Sequence, residues 1–448
     1  MVLAKVKVFL KKHQSLLIIL FIAFVFRLSL IPLVTHGDLF TQSEWGNWLY
    51  THNFNEFYSW NQWLSEWPNH PPLISWFYFF VYKTHSFFMM LFSNIGNFIA
   101  LNRLAPTKFI WFFDFTKWYG SAIFPGTFHL QGITATIKFF MILSDLAIAS
   151  LIYLICKRAK VNWKKYILVY LFLPFSWYLS AMWGQSDPLA YVFLIISFIL
   201  LNSRLIFLSP LLFALSLNLK PTGLILAPLF LWIFYKQRRQ KLQFVLGFVI
   251  ALIFTLYITS LFTQKPLIEF IRNDLIHRLF STKTPFTVVS SFNFWFIFHA
   301  KSLVSEMTPY LFIPAKIWGY IFFTLTAIAS FLVVRAKKLD TIFLSIFISS
   351  FGAWLFMTNM YERYVFAGLV SLLFFCIYHP KYFKYFIIFS FIFWINLYHG
   401  WWQPPQLDFL KDILLWNNRL FPRLLSIINV FAYLKFLKSL RLFFGFTS

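Results

Sequence analysis

The chain has 448 residues, 60% of them hydrophobic and only 12% charged, with a mean hydropathy of +0.70. That excludes an ordinary soluble domain, which is about half apolar and about a quarter charged. The 39 Lys and Arg against 14 Asp and Glu give a net charge of +25. The excess sits in clusters between apolar stretches, the pattern of cytoplasmic loops, so a nucleic-acid partner is not expected.

Apolar runs of roughly 18 residues or more, ended by charges or prolines, have the length a helix needs to cross a bilayer. Backbone groups in lipid must pair internally, and the runs lack the alternation of barrel strands. The expected fold is therefore all-α, a polytopic membrane protein of about twelve transmembrane helices forming one domain over residues 1–448. The basic clusters Lys5 to Lys12, Lys157 to Lys165, Lys236 to Lys241, Arg335 to Lys338, Lys381 to Lys384 and Lys435 to Arg441 set its topology. Span one covers Leu16 to Val34 and reads as a retained signal anchor, because no small-residue cleavage site follows. An outward segment, 35–132, comes next. Within it, Leu73 to Tyr82 and Phe87 to Leu101 read as two helices lying in the interface, rich in Trp and Phe. A pair of extra spans is the alternative, and charge parity leaves it open.

Span two runs from Ile133 to Cys156. Spans three and four, Tyr166 to Ala181 and Pro188 to Leu201, form a hairpin, as do spans five and six, Leu205 to Leu219 and Thr222 to Tyr235. Span seven ends near Phe262. A second outward segment, 263–309, carries Arg272, Asn273, Asp274, His277, Arg278 and Lys283, and reads as a flap or an interfacial stretch. Spans eight to eleven follow, and a last span, Leu424 to Leu440, returns the chain so that both termini are cytoplasmic. Arg27 and Asp145 lie inside spans one and two, where an isolated charge costs several kcal/mol, so they are expected to pair. The two cysteines, Cys156 and Cys376, lie in or at the ends of spans, so no disulfide ties the outward loops.

Most remaining polar groups fall at the outer ends of spans. They are Asp38, Gln42, Glu44 and Trp45 after span one, then His70 between Asn69 and Pro71. Gln185 and Asp187 follow at the turn between spans three and four, Lys220 between five and six, and Glu362 and Arg363 between nine and ten. Each has a plainer reading. The acids and amides serve as helix caps, the cations snorkel to headgroups, and Trp45, Trp67, Trp401 and Trp402 act as interfacial anchors. There is no HExxH, Cys/His zinc spacing or Walker loop, so no cofactor is expected and a divalent metal is not indicated.

Taken in order, these motifs resemble the GT-C superfamily of membrane glycosyltransferases. The likeness is to the branch of endoplasmic-reticulum glucosyltransferases that extend lipid-linked oligosaccharide, together with bacterial mannosyltransferase-like relatives. It rests on Gly37-Asp38-x-x-x-Gln42-x-x-Trp45, Pro71-Pro72-Leu73, Ile142 to Leu146, Gly184-Gln185-Ser186-Asp187, Lys220-Pro221 and Tyr361-Glu362-Arg363. Tyr361 stands where relatives often carry His, and Phe40 and Glu44 stand where the eukaryotic enzymes carry Glu and His. The resemblance implies inverting transfer of a monosaccharide, a hexose such as mannose or glucose, from a polyprenyl-phosphate carrier. The acceptor would be an extracytoplasmic glycan, lipid or protein, and the setting a bacterial cell membrane rather than endoplasmic reticulum. It implies Asp38 as general base, with Gln42, Glu44, Trp45, His70, Gln185, Asp187, Lys220, Glu362 and Arg363 contacting substrate. Two other classes compete: a flippase or transporter for lipid-linked glycans, with a polar central cavity, and a non-catalytic scaffold, in which Asp38 and Arg363 need not meet.

Overall fold

The structure is a computed structural model that describes residues 2–101, 128–237, 240–280, 285–300 and 303–440. Residues 102–127 of the first outward segment, Lys283 of the second and Arg441 of the last basic cluster fall outside the described residues.

Helices make up nearly all of the described chain. The first, α1 (Val2–Leu30), runs into a 3₁₀ turn, Ile31–Leu33, where Pro32 removes the donor that would continue it. Next come α2 (Gly37–Thr51), α3 (Pro72–Leu101) and α4 (Phe128–Ala159). After them, α5 (Trp163–Phe172) and α6 (Pro174–Trp177) are bent by 51° at the break, and a π-helical turn, Tyr178–Trp183, extends the second. The chain goes on through α7 (Asp187–Leu200), α8 (Leu208–Leu219), a 3₁₀ turn at Pro221–Leu226, α9 (Ala227–Gln237) and α10 (Lys241–Ser260). The last group is α11 (Ala315–Val333), α12 (Leu339–Phe356), α13 (Phe366–Tyr378), α14 (Phe383–Trp401) and α15 (Asp408–Ser439). A small antiparallel pairing of Pro309–Tyr310 with Ile313–Pro314 lies before α11.

Six described helices are long and apolar enough to cross a membrane, or seven if the bent α5–α6 pair counts as one. They correspond to expected spans one, two, seven, eight, nine and the last, with the bent pair as span three. Expected spans four and five are helices of 14 and 12 residues. At about 1.5 Å per residue each falls short of a hydrocarbon core about 30 Å thick. Expected span six is a 3₁₀ turn followed by 11 helical residues, and α13 has 13.

The two interfacial helices expected between Leu73 and Leu101 are instead one continuous helix. Lys83 and His85 do not interrupt it, because each has a local solution. Lys83 lies over the Phe79 ring, 4.8 Å from its centre. His85 is buried against α4 at Gly132, where a Cβ would come within 2.4 Å of the imidazole, so only glycine allows this approach.

The core centres on α12, whose apolar window is 94% buried, against 17% for α1 and 22% for α10 and α11. A helix apolar all round is stable only when surrounded, or when lipid covers what protein does not. Inside this frame Arg27 and Asp145 meet, both fully buried, with Arg27 Nε donating to Asp145 Oδ2 at 2.8 Å. Arg27 Nη2 also donates to Ser176 Oγ at 3.1 Å, and Ser180 Oγ donates to Asp145 Oδ2 at 3.1 Å. Tyr170 supplies a further hydroxyl donor to Asp145 Oδ1. The network ties α1 and α4 to the bent α5–α6 pair and its π turn.

Candidate functional site

The end of α1 and the start of α2 set the position of Asp38. Lys138, buried in α4, donates to the carbonyl of Ile31 at 2.9 Å and to that of Val34, closing the turn that precedes His36. The His36 imidazole then caps α2, accepting the Asp38 backbone N–H at 3.0 Å, and lies 3.4 Å from Asp38 Oδ1. On the opposite side the π turn ends at Gly184, where φ is +75°. A side chain there would be strained, and its Cβ would meet Leu39 and Lys138 at about 3.0 Å. This turn carries Gln185, whose Nε2 donates to Asp38 Oδ2 at 2.8 Å.

Arg363 enters from the 3₁₀ turn Glu362–Val365 between α12 and α13. Its Nη2 is 3.7 Å from Asp38 Oδ2, near enough for charge attraction but too long for a good hydrogen bond. Its Nη1 donates to Glu362 Oε1 at 3.1 Å, and Ser290 Oγ donates to the other Glu362 oxygen. Arg363 Nε is buried without a partner, so the guanidinium keeps donor capacity for an incoming anion. Trp183, Tyr361 and Tyr364 surround its planar face at 5.7, 4.9 and 6.0 Å.

Lys220 ends α8 and donates to Asp187 at the start of α7, both nearly buried. The ammonium is 6.0 Å from the Tyr364 ring, the same ring that Arg363 approaches to 6.0 Å. Beyond this pair opens a cavity of roughly 150 Å³, lined by Asp187 and Lys220 at one end and by groups such as Tyr191, Leu194, Trp354 and Phe366 beyond.

The electrostatics follow from this placement. Burial raises the Asp38 carboxyl, but the neighbouring His36 imidazole, the Arg363 charge and the Gln185 amide outweigh it and hold Asp38 well below the usual carboxylate range. Its side chain is still 38% exposed, so the ionised group can be reached. For Arg363 burial lowers the value, and the charges of Asp38 and Glu362 more than reverse it. For Lys220 burial lowers it, helped by Arg363 and opposed by Asp187, with a net downward shift. Burial together with the Lys220 and Arg363 charges, partly offset by Asp38, pushes His70 down to about 4, so it is neutral at pH 7.

Of the residues singled out in the sequence, the structure brings Asp38, Gln185, Glu362 and Arg363 into direct contact, with Asp187 and Lys220 beside them and His70 within reach of their charges. Glu44 lies apart. Six positions after Asp38 it points elsewhere on α2. Its Oε1 accepts from the Leu64 N–H at 2.6 Å, and its Oε2 accepts from the Ser65 N–H at 3.1 Å and from the Ser65 hydroxyl. Trp45 is 1% exposed, donates to the Glu66 carbonyl at 3.0 Å, and packs among Phe57, His70 and Tyr78. It is a wall of the core there, not an open stacking face. Gln42 is buried one turn after Asp38. Trp67 donates to the Trp60 carbonyl at 2.7 Å beneath Arg278 of the second outward segment. Trp401 stacks on Trp183 with ring centres 5.5 Å apart, and Trp402 packs against His399 at 4.8 Å.

Sequence reasoning missed His36, Lys138, Tyr364 and Ser290. Lys138 left a signal, since a lysine inside an apolar span is costly and marks a specific role. The other three carry none without the fold. Among the described residues no group of three or more His, Cys, Asp or Glu is arranged to hold a metal. Compared with protein-family models and with curated proteins, the chain has no match to either.

Proposed function

We propose that the protein is a GT-C-like glycosyltransferase that moves a neutral hexose from a polyprenyl-phosphate carrier to an extracytoplasmic hydroxyl acceptor with inversion. The observation that carries this reading is the meeting of Asp38 with Arg363 and Gln185, beside the Lys220–Asp187 pair that lines an apolar cavity. A membrane-held phosphoester needs that combination: cations for the phosphate, apolar space for the chain, and a carboxylate for the acceptor proton. In the step itself the acceptor oxygen bonds to the anomeric carbon and its proton passes to Asp38. The bond from that carbon to the phosphate oxygen breaks, and polyprenyl phosphate leaves against Arg363 and Lys220.

The resting site explains an order of events. Asp38 is a weak base while Arg363 attracts it, because that charge favours the ionised form. A donor phosphate that takes up the Arg363 charge raises the basicity of Asp38 once substrate is present. In this reading the shorter helices complete a twelve-span bundle, with both termini cytoplasmic, in a bacterial cell membrane. A scaffold has no need of an exposed carboxylate held between a cation and an amide. A flippase would carry its open polar groups at mid-depth, where Arg27 and Asp145 are instead fully buried and paired. The test is to incubate purified protein in lipid with a panel of polyprenyl-phosphate hexoses and a mixed glycan acceptor pool, and to follow release of polyprenyl phosphate. Release that depends on acceptor supports the reading, and none with any sugar of the panel rejects it.

A further inference from the structure

The antiparallel pairing before α11 closes in a two-residue turn, Leu311-Phe312, with Tyr310 opposite Ile313. Both turn residues have positive φ, +49° and +68°. A hairpin turn of that hand suits Asn-Gly, because a bulky side chain is crowded there. Leu311 is nevertheless 81% exposed and Phe312 fully exposed, so little contact within the chain offsets the strained backbone. Two large apolar side chains displayed on a strained tip mark a surface that meets something apolar.

The hairpin is firmly held. Glu306, buried just before it, accepts from Lys316 Nζ at 2.7 Å and from Thr358 Oγ1 at 2.9 Å. The Trp318 indole N–H donates to the Tyr310 carbonyl at 2.8 Å. Its level is set by α11, which it joins directly. At about 1.5 Å per residue the 19 residues of α11 cover about 28 Å, close to a hydrocarbon core about 30 Å thick. Two strand residues, about 7 Å, separate the tip from Ala315, so a membrane-crossing α11 puts Leu311 and Phe312 at the bilayer interface. Ile317, Ile321, Leu325, Ile328 and Leu332 are exposed along one face of α11, a stripe for lipid to cover that begins within a turn of the hairpin. The hairpin, Pro309-Tyr310-Leu311-Phe312-Ile313-Pro314, carries no charge. Tyr310, Trp318 and Tyr320 are of the residue types that gather at membrane interfaces.

We propose that Leu311 and Phe312 form a membrane anchor, which inserts into the lipid leaflet beside the start of α11. The occupant is lipid because the tip offers two residues, far fewer than the roughly 20–30 on each side of a stable protein interface, and because it adjoins the apolar stripe of α11. Through Glu306 the anchor reaches Thr358, five residues before Arg363, and so holds the candidate site at a fixed depth. The inference needs only a membrane around α11 and stands whether or not the protein transfers sugars.

The test uses full-length protein carrying Leu311→Cys, labelled with a polarity-sensitive fluorophore, in nanodiscs of phosphatidylcholine and phosphatidylglycerol. The two native cysteines are buried, which confines the label to the tip. Lipids brominated near the top of the acyl chain should quench the label, and aqueous iodide should not. Adding Phe312→Gly, a residue that suits the turn and so keeps the hairpin, should shift the label toward water by about tenfold or more, the effect of one lost buried aromatic side chain. Iodide quenching with Phe312 in place, as expected of a tip held in water or kept for a partner protein, overturns the anchor. So does a label that stays in lipid after Phe312→Gly, because the fluorophore and not the hairpin would then be what inserts.

Discussion

Replacing Asp145 with leucine tests whether the buried ion pair supports the fold and, through it, the site. The carboxylate takes four donor contacts: Arg27 Nε at 2.8 Å, Arg27 Nη2 at 2.8 Å, Ser180 Oγ at 3.1 Å, and the Tyr170 hydroxyl. Both charged side chains are fully buried, so neither water nor headgroups can take over when one is removed. The leucine variant leaves a bare guanidinium in the core, at a cost of about 3–5 kcal/mol. Arg27→Met strips the carboxylate of its cation and should cost a similar amount. The double variant removes both charges, and apolar replacements of a buried pair are often neutral, so it should recover most of the loss. The expected coupling energy is at least about 2 kcal/mol. Unfolding of the four proteins by heat or SDS in a fixed detergent, followed by tryptophan fluorescence, measures it. A single variant within about 1 kcal/mol of the parent, or a double variant whose loss equals the sum of the singles, would refute the reasoning.

Asp38→Asn keeps size and the Gln185 contact but cannot take a proton, so transfer should fall by about a hundredfold or more, with unchanged unfolding; parent-like turnover would reject Asp38 as base. Arg363→Lys keeps charge but loses the planar fork and its free Nε, and should weaken binding of polyprenyl phosphate by about tenfold or more; equal affinity would make Arg363 a structural residue. His70 is held down to about 4 by burial and by the Lys220 and Arg363 charges, against Asp38. Its folded value lies below its free one, so neutral His70 persists as pH falls through 6.5 and is lost only near 4. Its contribution to the pH profile of transfer is then a limb near 4, and a limb at 6.5 that vanishes in His70→Gln would contradict this. Lys138→Met leaves the Ile31 and Val34 carbonyls without their buried donor, costing about 1–3 kcal/mol for each, and should lower kcat more than KM because Asp38 and Gly184 both lean on it; a loss of stability with kcat intact would limit Lys138 to the fold.

Much of the helical frame can be read along the chain because lipid-length apolar runs and positive clusters are one-dimensional signals. The long helices α1, α4, α10, α11 and α12 fall where such runs predict them. The reading is weaker where length depends on packing. Pro188 to Leu201 and Leu205 to Leu219 are as apolar as any span, yet they make helices of 14 and 12 residues, because the turns beside them hold Asp187 and Lys220. Between Leu73 and Leu101, polarity suggested a break that the structure does not have. Lys83 found the face of Phe79 one helical turn back, and His85 a glycine on α4 that local composition does not reveal.

At the site, sequence order names the charged residues but does not say which of them share a contact. Asp38 and Glu44 look equivalent in a list, since both are acids on one outward segment. Helical phase separates them, turning Asp38 to Gln185 and Arg363, and Glu44 to the backbone of Leu64 and Ser65. Trp45 shows the same limit from the other side: its motif position suggested a substrate contact or an interfacial anchor, and its burial makes it the wall on which His70 rests. What joins these groups is the framework behind them. Lys138 holds the turn before His36 and abuts Gly184, so one buried cation reaches both the segment that carries Asp38 and the turn that carries Gln185. The Arg27–Asp145 network anchors the π turn that ends at Gly184, through Ser176 and Ser180. Buried charges within the long helices therefore fix the geometry of the charges at their ends, and the candidate site depends on residues that never reach it.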